Sequence, residues 1–581
     1  MRRMPSWRAL LFIVLGLALV GGVWAGWQVW QVNKDLNAAV DEVDLLRSAA
    51  ESGDVEAMDD SLDHLEERSA RADARTSGVT WSALTYVPWV GDDARGVRVV
   101  SSVVHDLAAE GARPLVDVSR SLEDILPRGG QVSVEAVAEL QEPVAEAERS
   151  LAAAEAALGE EDPAGFVLRL RDKYRDLAGT VRSTHRSLAS ASTALQVMPT
   201  MLGGDEGRNY LLVFQNNAEI RATGGLPGAV ALLRAADGRI ELARQVGASS
   251  ISSPGRPYLP LTAAEEELYG DLLGTYFVNA NMTPDFPRAA SLMKAGWESE
   301  LPERIDGVIA IDPVALSYLL AVTGPVQVRD TTVTAENVVD ELLHGVYLRY
   351  EDPADQDAFF QEVASAAFDQ VLGGADEPQG VLRALARGAD ESRIYVHSFD
   401  AAEQDVLSGS AVAGELATGR AEQPEVTVAL NDSTGAKMSY FLRYDVRVEA
   451  TSCGDGVQSY VGSAVLESTA PADAATTLPD YVTGGGLLGA DPGTQFVNVQ
   501  MFAPAGGSVT DLRVNSSRIE SAVVDQDGRP VDTLAIQLEP GQKVRVGWRM
   551  TSGPEQVGAT QVSVTPGIEA RGYSSIAPSA C

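Results

Sequence analysis

The chain reads as a multidomain α+β protein in four parts: a transmembrane helix (1–33), an extracytoplasmic helical bundle or stalk (34–200), a three-layer α/β domain (201–422) and a C-terminal β-sandwich (423–581). Three observations predict this order. An uncharged apolar run extends from Ala9 to Val32, an Ala/Glu/Asp/Arg/Leu-rich stretch with helical spacing follows to about Thr200, and short alternating apolar runs take over beyond Gln423.

The first run follows Arg2, Arg3 and Arg8, and its residues at ~1.5 Å each suffice for a hydrocarbon core of about 30 Å. The flank after Lys34 is acidic, with Asp35, Asp41, Glu42 and Asp44, so the charge bias leaves the tail in the cytoplasm and exports the body. Trp24, Trp27 and Trp30 suit an interfacial belt, and a cleaved signal peptide ending near Val23-Trp24-Ala25 is the competing reading. The expectation is a cell-membrane protein with one pass, a cytoplasmic N-terminus and an extracytoplasmic body.

In the second part Val40, Val43 and Leu46, then Leu62 and Leu65, recur at helical intervals. Breaks at Ser77-Gly78, Pro127-Arg128-Gly129-Gly130 and Glu161-Asp162-Pro163 divide it into four or five helices folded back on one another. Tyr86, Pro88, Trp89 and Val90 form an apolar knot that reads as a packed turn.

The third part alternates apolar runs with helical patterns. Strands fit Tyr210 to Phe214, Gly228 to Arg234, Gly307 to Ile311 and Arg393 to Ser398, and helices fit Pro287 to Trp297, Pro313 to Ala321 and Asp357 to Leu372. The fourth part carries runs such as Val426 to Leu430, Tyr440 to Val448 and Lys543 to Met550 between Gly, Pro, Asp and Asn, as in a sandwich of immunoglobulin-like size.

With 82 acidic against 45 basic residues and a formal net charge of -37, a broad footprint on nucleic acid is excluded. The two cysteines, Cys453 and Cys581, are candidates for a disulfide outside the cytoplasm. His64, His105, His185, His344 and His397 lack metal-ligand spacing, and there is no Walker loop, dinucleotide fingerprint or nucleophile elbow.

The chemistry-bearing segment is Asn209 to Gly225, NYLLVFQNNAEIRATGG. An apolar strand runs there into Gln215, Asn216, Asn217, Glu219 and Arg221, and strand ends are where open α/β sheets bind ligands. Continued through NANMTPDFPRAASLMKAGWE and IDGVIAIDPVALSYLLAVTGPV, the segment resembles the successive blocks of the bacterial family catalogued as domain of unknown function 4012, whose members look like envelope proteins.

The same block order is more distantly similar to the LytR-CpsA-Psr phosphotransferases, which move glycopolymers from a polyprenyl-pyrophosphate lipid onto peptidoglycan. That resemblance implies a LytR-CpsA-Psr-like α/β fold, a site at Glu219 and Arg221, and an asparagine segment at Phe277-Val278-Asn279-Ala280. Where spaced arginines would be expected, the chain offers Arg349 and then carboxylates and glutamines.

Transfer from a pyrophosphate needs guanidinium, backbone amides or a divalent cation where charge builds up. Arg221 is the candidate anion fork, and Gly224-Gly225 brings backbone N–H groups close. Glu219 and Asp285 are candidate catalytic and Mg²⁺ ligands, with Gln215, Asn216, Asn217, Asn279, Asn281 and Arg349 as further ligand-binding residues. The alternative for Arg221 is an ion pair with Glu219 or Asp285 that ties loops together. Two functions follow. The first is an envelope protein that binds a cell-wall glycopolymer, a lipid-linked precursor or a partner protein without catalysis. The second is a divergent metal-dependent phosphotransferase or phosphohydrolase acting on polyprenyl-pyrophosphate-linked glycans.

Overall fold

The computed structural model describes residues 7–52, 54–88, 90–121, 130–204, 206–251, 253, 255–373, 378–419, 423–486 and 489–581. They fall in two compact units, Met1–Ile125 with Glu135–Gln196, and Leu126–Val134 with Val197–Cys581.

The first unit is helical. Its helices are Trp7–Ser52, Val55–Thr76, Val79–Leu84, Gly91–Asp106, Arg113–Ser121, Val134–Gly159 and Leu168–Met201. Asp54 caps the second by accepting the Ala57 N–H at 3.0 Å, which satisfies one of the orphan donors of its first turn. Ala39, Met58, Leu62 and Leu65 form one buried cluster, and Val103, Leu151, Phe166 and Tyr174 another.

The transmembrane assignment is corrected. Among the described residues no helix is long and apolar enough to cross a membrane. Residues 1–6, and the side chains of residues 7–23, lie outside the described set. The distal end of the apolar run is taken up by packing within the helical unit: Val32 is buried against Trp81 and Ala94, and Asp35 is buried in an ion pair with Arg75. The expected knot is also different from its reading, because Tyr86 and Val90 are exposed and Trp81 carries the packing, its indole donating to the Ala94 carbonyl at 2.9 Å. Trp89 lies outside the described residues.

The second unit holds two β architectures. Strands β1 (Arg208–Arg221), β2 (Gly224–Ala236), β3 (Arg239–Gly247) and β4 (Gly307–Ile311) precede a small hairpin, β5 (Val326–Val328) with β6 (Thr331–Val333), and then β7 (Ile394–Ser398). The main sheet has the order β3-β2-β1-β4-β7, with β1 and β4 parallel and the other neighbours antiparallel. Helices cover both faces. On one, Leu211, Val213, Val230, Leu232 and Val308 pack on Phe286, Met293 and Trp297 of the Phe286–Glu300 helix. On the other lie the Pro313–Thr323 and Pro353–Leu372 helices.

The remaining strands are β8 (Glu425–Asp432), β9 (Leu442–Gly454), β10 (Val457–Ser468), β11 (Gln495–Phe502), β12 (Ser508–Val514), β13 (Ser517–Arg518), β14 (Val524–Gln526), β15 (Arg529–Leu538), β16 (Lys543–Thr551), β17 (Thr560–Val564) and β18 (Ser575–Ala577). They form two sheets, β14-β15-β11-β8-β17-β18 and β13-β12-β16-β10-β9. Val428, Leu430, Val499 and Met501 of one meet Tyr460, Leu466, Val546 and Trp548 of the other in a common core. A disulfide joins Cys453, at the end of β9, to Cys581 across 128 residues.

The two architectures share a unit because β1 reaches from one into the other. Ile220 belongs to the sandwich core, the Ala222 N–H donates to Asn431 Oδ1 at 3.1 Å, and the Thr565 hydroxyl donates to the Ala222 carbonyl at 2.8 Å.

Candidate functional site

The polar run is the far half of β1 rather than a loop beyond it. Pairing with β2 shifts register between Phe214 and Gln215 and again between Asn216 and Ile220, and such bulges re-aim side chains. Gly225 permits the crossing: a Cβ there would stand 2.3 Å from the Asn216 carbonyl carbon. Its N–H donates to Gln215 Oε1 at 3.1 Å, so this amide is engaged within the protein.

Two ionic groups flank the strand. In the first, Glu219 is buried, with Oε1 accepting from Arg221 Nη2 at 2.8 Å and Oε2 accepting from Lys437 Nζ at 2.5 Å. Burial pushes the Glu219 pKa up, but the charges of Lys437 and Arg221 outweigh it and hold the carboxyl below its ordinary value. Arg221 also donates to the carbonyls of Ile220 and Asp432 and to Asn279 Oδ1 at 3.3 Å. Burial, followed by repulsion from Glu219, pushes Asp432 up to about 6.

In the second group, Asp312 closes β4. It caps the Pro313–Thr323 helix through the Ala315 N–H at 2.8 Å, accepts from Asn217 Nδ2 at 3.2 Å, and is paired at 2.8 Å with Arg393, whose side chain is fully buried. Asn281 Nδ2 donates to Thr223 Oγ1 at 2.9 Å and to the Gly225 carbonyl at 2.7 Å.

Of the sequence-derived candidates, Gln215, Asn216, Asn217, Glu219, Arg221, Asn279 and Asn281 therefore surround one stretch of β1. Asp285 and Arg349 make none of these contacts. Asp285 Oδ1 accepts the Leu416 N–H at 3.1 Å, and Arg349 pairs with Glu341 at 2.6 Å over the Phe359 and Tyr350 rings.

The proposed Mg²⁺ ligation does not fit these donors. Both Glu219 oxygens are already committed to cations, and among the described residues no group of three or more His, Cys, Asp or Glu side chains is arranged to hold a metal ion. Arg221 follows the ion-pair alternative, with Glu219 as its partner. Arg393, Lys437, Asp312 and Tyr347 went unread in the sequence. Only Asp312 carried a signal there, as an Asp-Pro step between an apolar strand and a helical pattern.

Asp285 gives a pH test. Burial, with repulsion from Glu415 and Asp527, pushes its carboxyl up to about 6 against backbone N–H groups that pull it down. A folded-state pKa above the unfolded one means that stability falls as pH rises from 3.8 to about 6 and stays reduced above it. Asp285→Asn keeps the acceptor for Leu416, so it is expected to stabilise by about 1–2 kcal/mol at pH 8 and by almost nothing at pH 4, the figure being discounted for partial exposure. Urea melts at both pH values check this, and equal effects would contradict it.

Beside the second group lies a cavity of about 60 Å³. Its walls are Phe214, Ile311, Leu316, Leu342, Leu343, Phe360, Val363 and Ala364, and Gln215, Asn216 and Asp312 form its polar end. The Asn216 amide donates to the Tyr347 hydroxyl, and its Oδ1 accepts the Ala218 N–H at 3.0 Å. Phe214, Ile311 and Phe360 are half-buried and mark the rim.

Residues 205–347 match the family model described as a protein of unknown function, DUF4012. The DUF4012 region runs from the start of β1 to Tyr347 and contributes the floor and one wall of the cavity, while Phe360, Val363 and Ala364 lie beyond it. No curated protein and no solved structure gives a significant match to the chain. The similarity to LytR-CpsA-Psr phosphotransferases accordingly rests on block order alone.

Proposed function

We propose that this protein binds the apolar chain of an envelope lipid or lipid-linked precursor without transforming it. The observation that carries the reading is the cavity where β4 ends beside the middle of β1, apolar along its walls and polar at one end, with room at about 60 Å³ for one segment of such a chain and not for the whole of it. The absence of catalysis is argued from charge. Arg221 and Lys437 spend their charge on Glu219, and Arg393 spends its own on Asp312, leaving no guanidinium or ammonium among the described cavity walls to stabilise a departing pyrophosphate. The Cys453–Cys581 disulfide supports an oxidising, extracytoplasmic compartment.

Farnesol titrated calorimetrically into the full chain tests this reading. Ala364→Leu, on the Pro353–Leu372 helix, fills the cavity and is expected to weaken binding at least about tenfold without lowering Tm. Undiminished affinity in that variant would place the chain elsewhere and sink the proposal.

A further inference from the structure

We infer that the solvent face of the sandwich carries a second binding surface, a line of arginines across the β13-β12-β16-β10-β9 sheet that takes a linear carbohydrate polymer bearing oxyanions. This goes beyond the lipid-chain reading and stands without it.

The first observation is register. Arg447 on β9 pairs with Ser463 on β10, Ser463 with Gly547 on β16, Gly547 with Arg513 on β12, and Arg513 with Arg518 on β13. Residues paired across strands share a face, so these five form one line at right angles to the strands, about 19 Å long at ~4.8 Å per strand step. Two residues either way along β16, Arg545 and Arg549 stand on the same face. Arg447, Arg513, Arg518, Arg545 and Arg549 are all exposed, while the alternating Val544, Val546, Trp548 and Met550 fill the core.

The second observation is charge. Asp511, in the bulge between Thr510 and Arg513, gathers three guanidiniums, Arg513 at 3.0 Å, Arg549 at 3.5 Å and Arg518 at 4.0 Å. One carboxylate leaves positive charge in surplus there, and Arg545 makes no ion pair among the described residues. Arg447 bonds Asp445 at 2.9 Å, an exposed pair of the kind that a competing anion displaces at little cost, and Glu449 lies in the neighbouring row opposite Val461. A chain of formal net charge -37 thus collects arginine on one exposed sheet face.

The third observation is the centre of the line. A Cβ on Gly547 would meet nothing nearer than the Gly462 carbonyl oxygen at 3.9 Å, and its φ is not left-handed, so neither packing nor backbone requires glycine. With Ser463 beside it, the layer of side chains is interrupted by a gap between Arg513, Arg545 and Arg549. The line and its flanking positions carry no aromatic ring on which a nucleic-acid base would stack, and Val461, opposite Arg549, is the exposed large apolar residue of this face. Guanidinium forks beside a hydroxyl match a hydroxylated chain with recurring oxyanions.

Calorimetry on the full chain with dextran sulfate, polygalacturonate and uncharged dextran tests the inference. The sulfated and carboxylated polymers are expected to bind, more weakly as salt is added, and the uncharged one not to bind. Arg545→Gln with Arg549→Gln should weaken binding at least about tenfold, whereas removing the same charge elsewhere, in Arg149→Gln with Arg304→Gln, should change it less than about twofold. Gly547→Val, which fills the gap with a residue that strands favour, should weaken binding at least about fivefold without lowering Tm. The inference is overturned if neither polyanion binds, if the Arg545 and Arg549 substitutions leave affinity undiminished, or if the control pair loses as much. Poly(dT) or phosphatidylglycerol vesicles binding as tightly as the polysaccharides would equally overturn it. Farnesol affinity should be the same in all these variants, so this surface and the cavity stand or fall separately.

Discussion

Arg393→Ala is expected to lower the unfolding free energy of the second unit by about 3–5 kcal/mol, among the largest effects of any single substitution in the protein. The cause is not the loss of the ion pair itself but the state of what remains. Arg393 lies immediately before β7 with its side chain fully buried, and its guanidinium binds Asp312 Oδ2 at 2.8 Å, Glu391 Oε2 at 2.9 Å and three carbonyls, those of Gly567, Glu569 and Arg571 at 2.9, 2.6 and 2.9 Å. Those carbonyls belong to the segment between β17 and β18, so one side chain ties the α/β sheet to the sandwich. Its removal leaves a buried carboxylate and three acceptors without their donor.

Burial already pushes the Asp312 pKa up, and Arg393 is the strongest influence opposing it. Without Arg393 the carboxyl rises further, and a raised acid pKa costs stability as pH increases. The defect should therefore be larger at pH 8 than at pH 4.5, and Asp312→Asn should relieve part of it. Urea denaturation of Arg393→Ala, Asp312→Asn and the double variant at both pH values provides the check. A loss below about 1 kcal/mol, or a pH-independent one, would show that the guanidinium is dispensable to the packing.

The apolar run Tyr210 to Phe214 is readable as a strand because five consecutive apolar residues before a polar stretch leave little alternative. Its continuation to Arg221 is not, since Gln-Asn-Asn-Ala-Glu-Ile-Arg has the composition of a loop. These residues are strand because the sandwich covers them, and that cover comes from Asn431, Asp432, Lys437 and Thr565, more than 200 positions away. No local pattern encodes such a partner. Asp285 pairs with Glu219 in the sequence reading as a hard-oxygen ligand for a divalent cation, with Asn279 and Asn281 beside it. The turn after Met282 instead carries it to Leu416, while the asparagines face β1. The N-terminal run failed for a related reason. Apolar length alone cannot tell a hydrocarbon-spanning segment from one whose end is absorbed by a bundle, and it was Trp81, far along the chain, that received Val32.

Glu219→Gln makes the complementary case, because here an anion is removed from between two cations. It is expected to cost about 3–5 kcal/mol, since Lys437 and Arg221, both buried, are left facing one another without the carboxylate that draws them together. Lys437 is held charged by that carboxylate against the pull of burial, with the Tyr347 and Tyr481 hydroxyls assisting. Removing the surplus cation as well, in Glu219→Gln with Lys437→Met, should recover a substantial part of the loss, and the double-mutant cycle measures the coupling. The pH dependence has the opposite sign to that at Asp285. The Glu219 carboxyl is held below its ordinary 4.5, so its contribution is full above that value and is lost as pH falls through the lower folded-state value. Wild type and variant should thus converge under strong acid. Farnesol affinity in folded Glu219→Gln should be unchanged, because Glu219, Arg221 and Lys437 do not line the cavity. Abolished binding in a folded variant would instead make the ionic cluster part of the ligand site and reopen the reading in which Arg221 holds an anion.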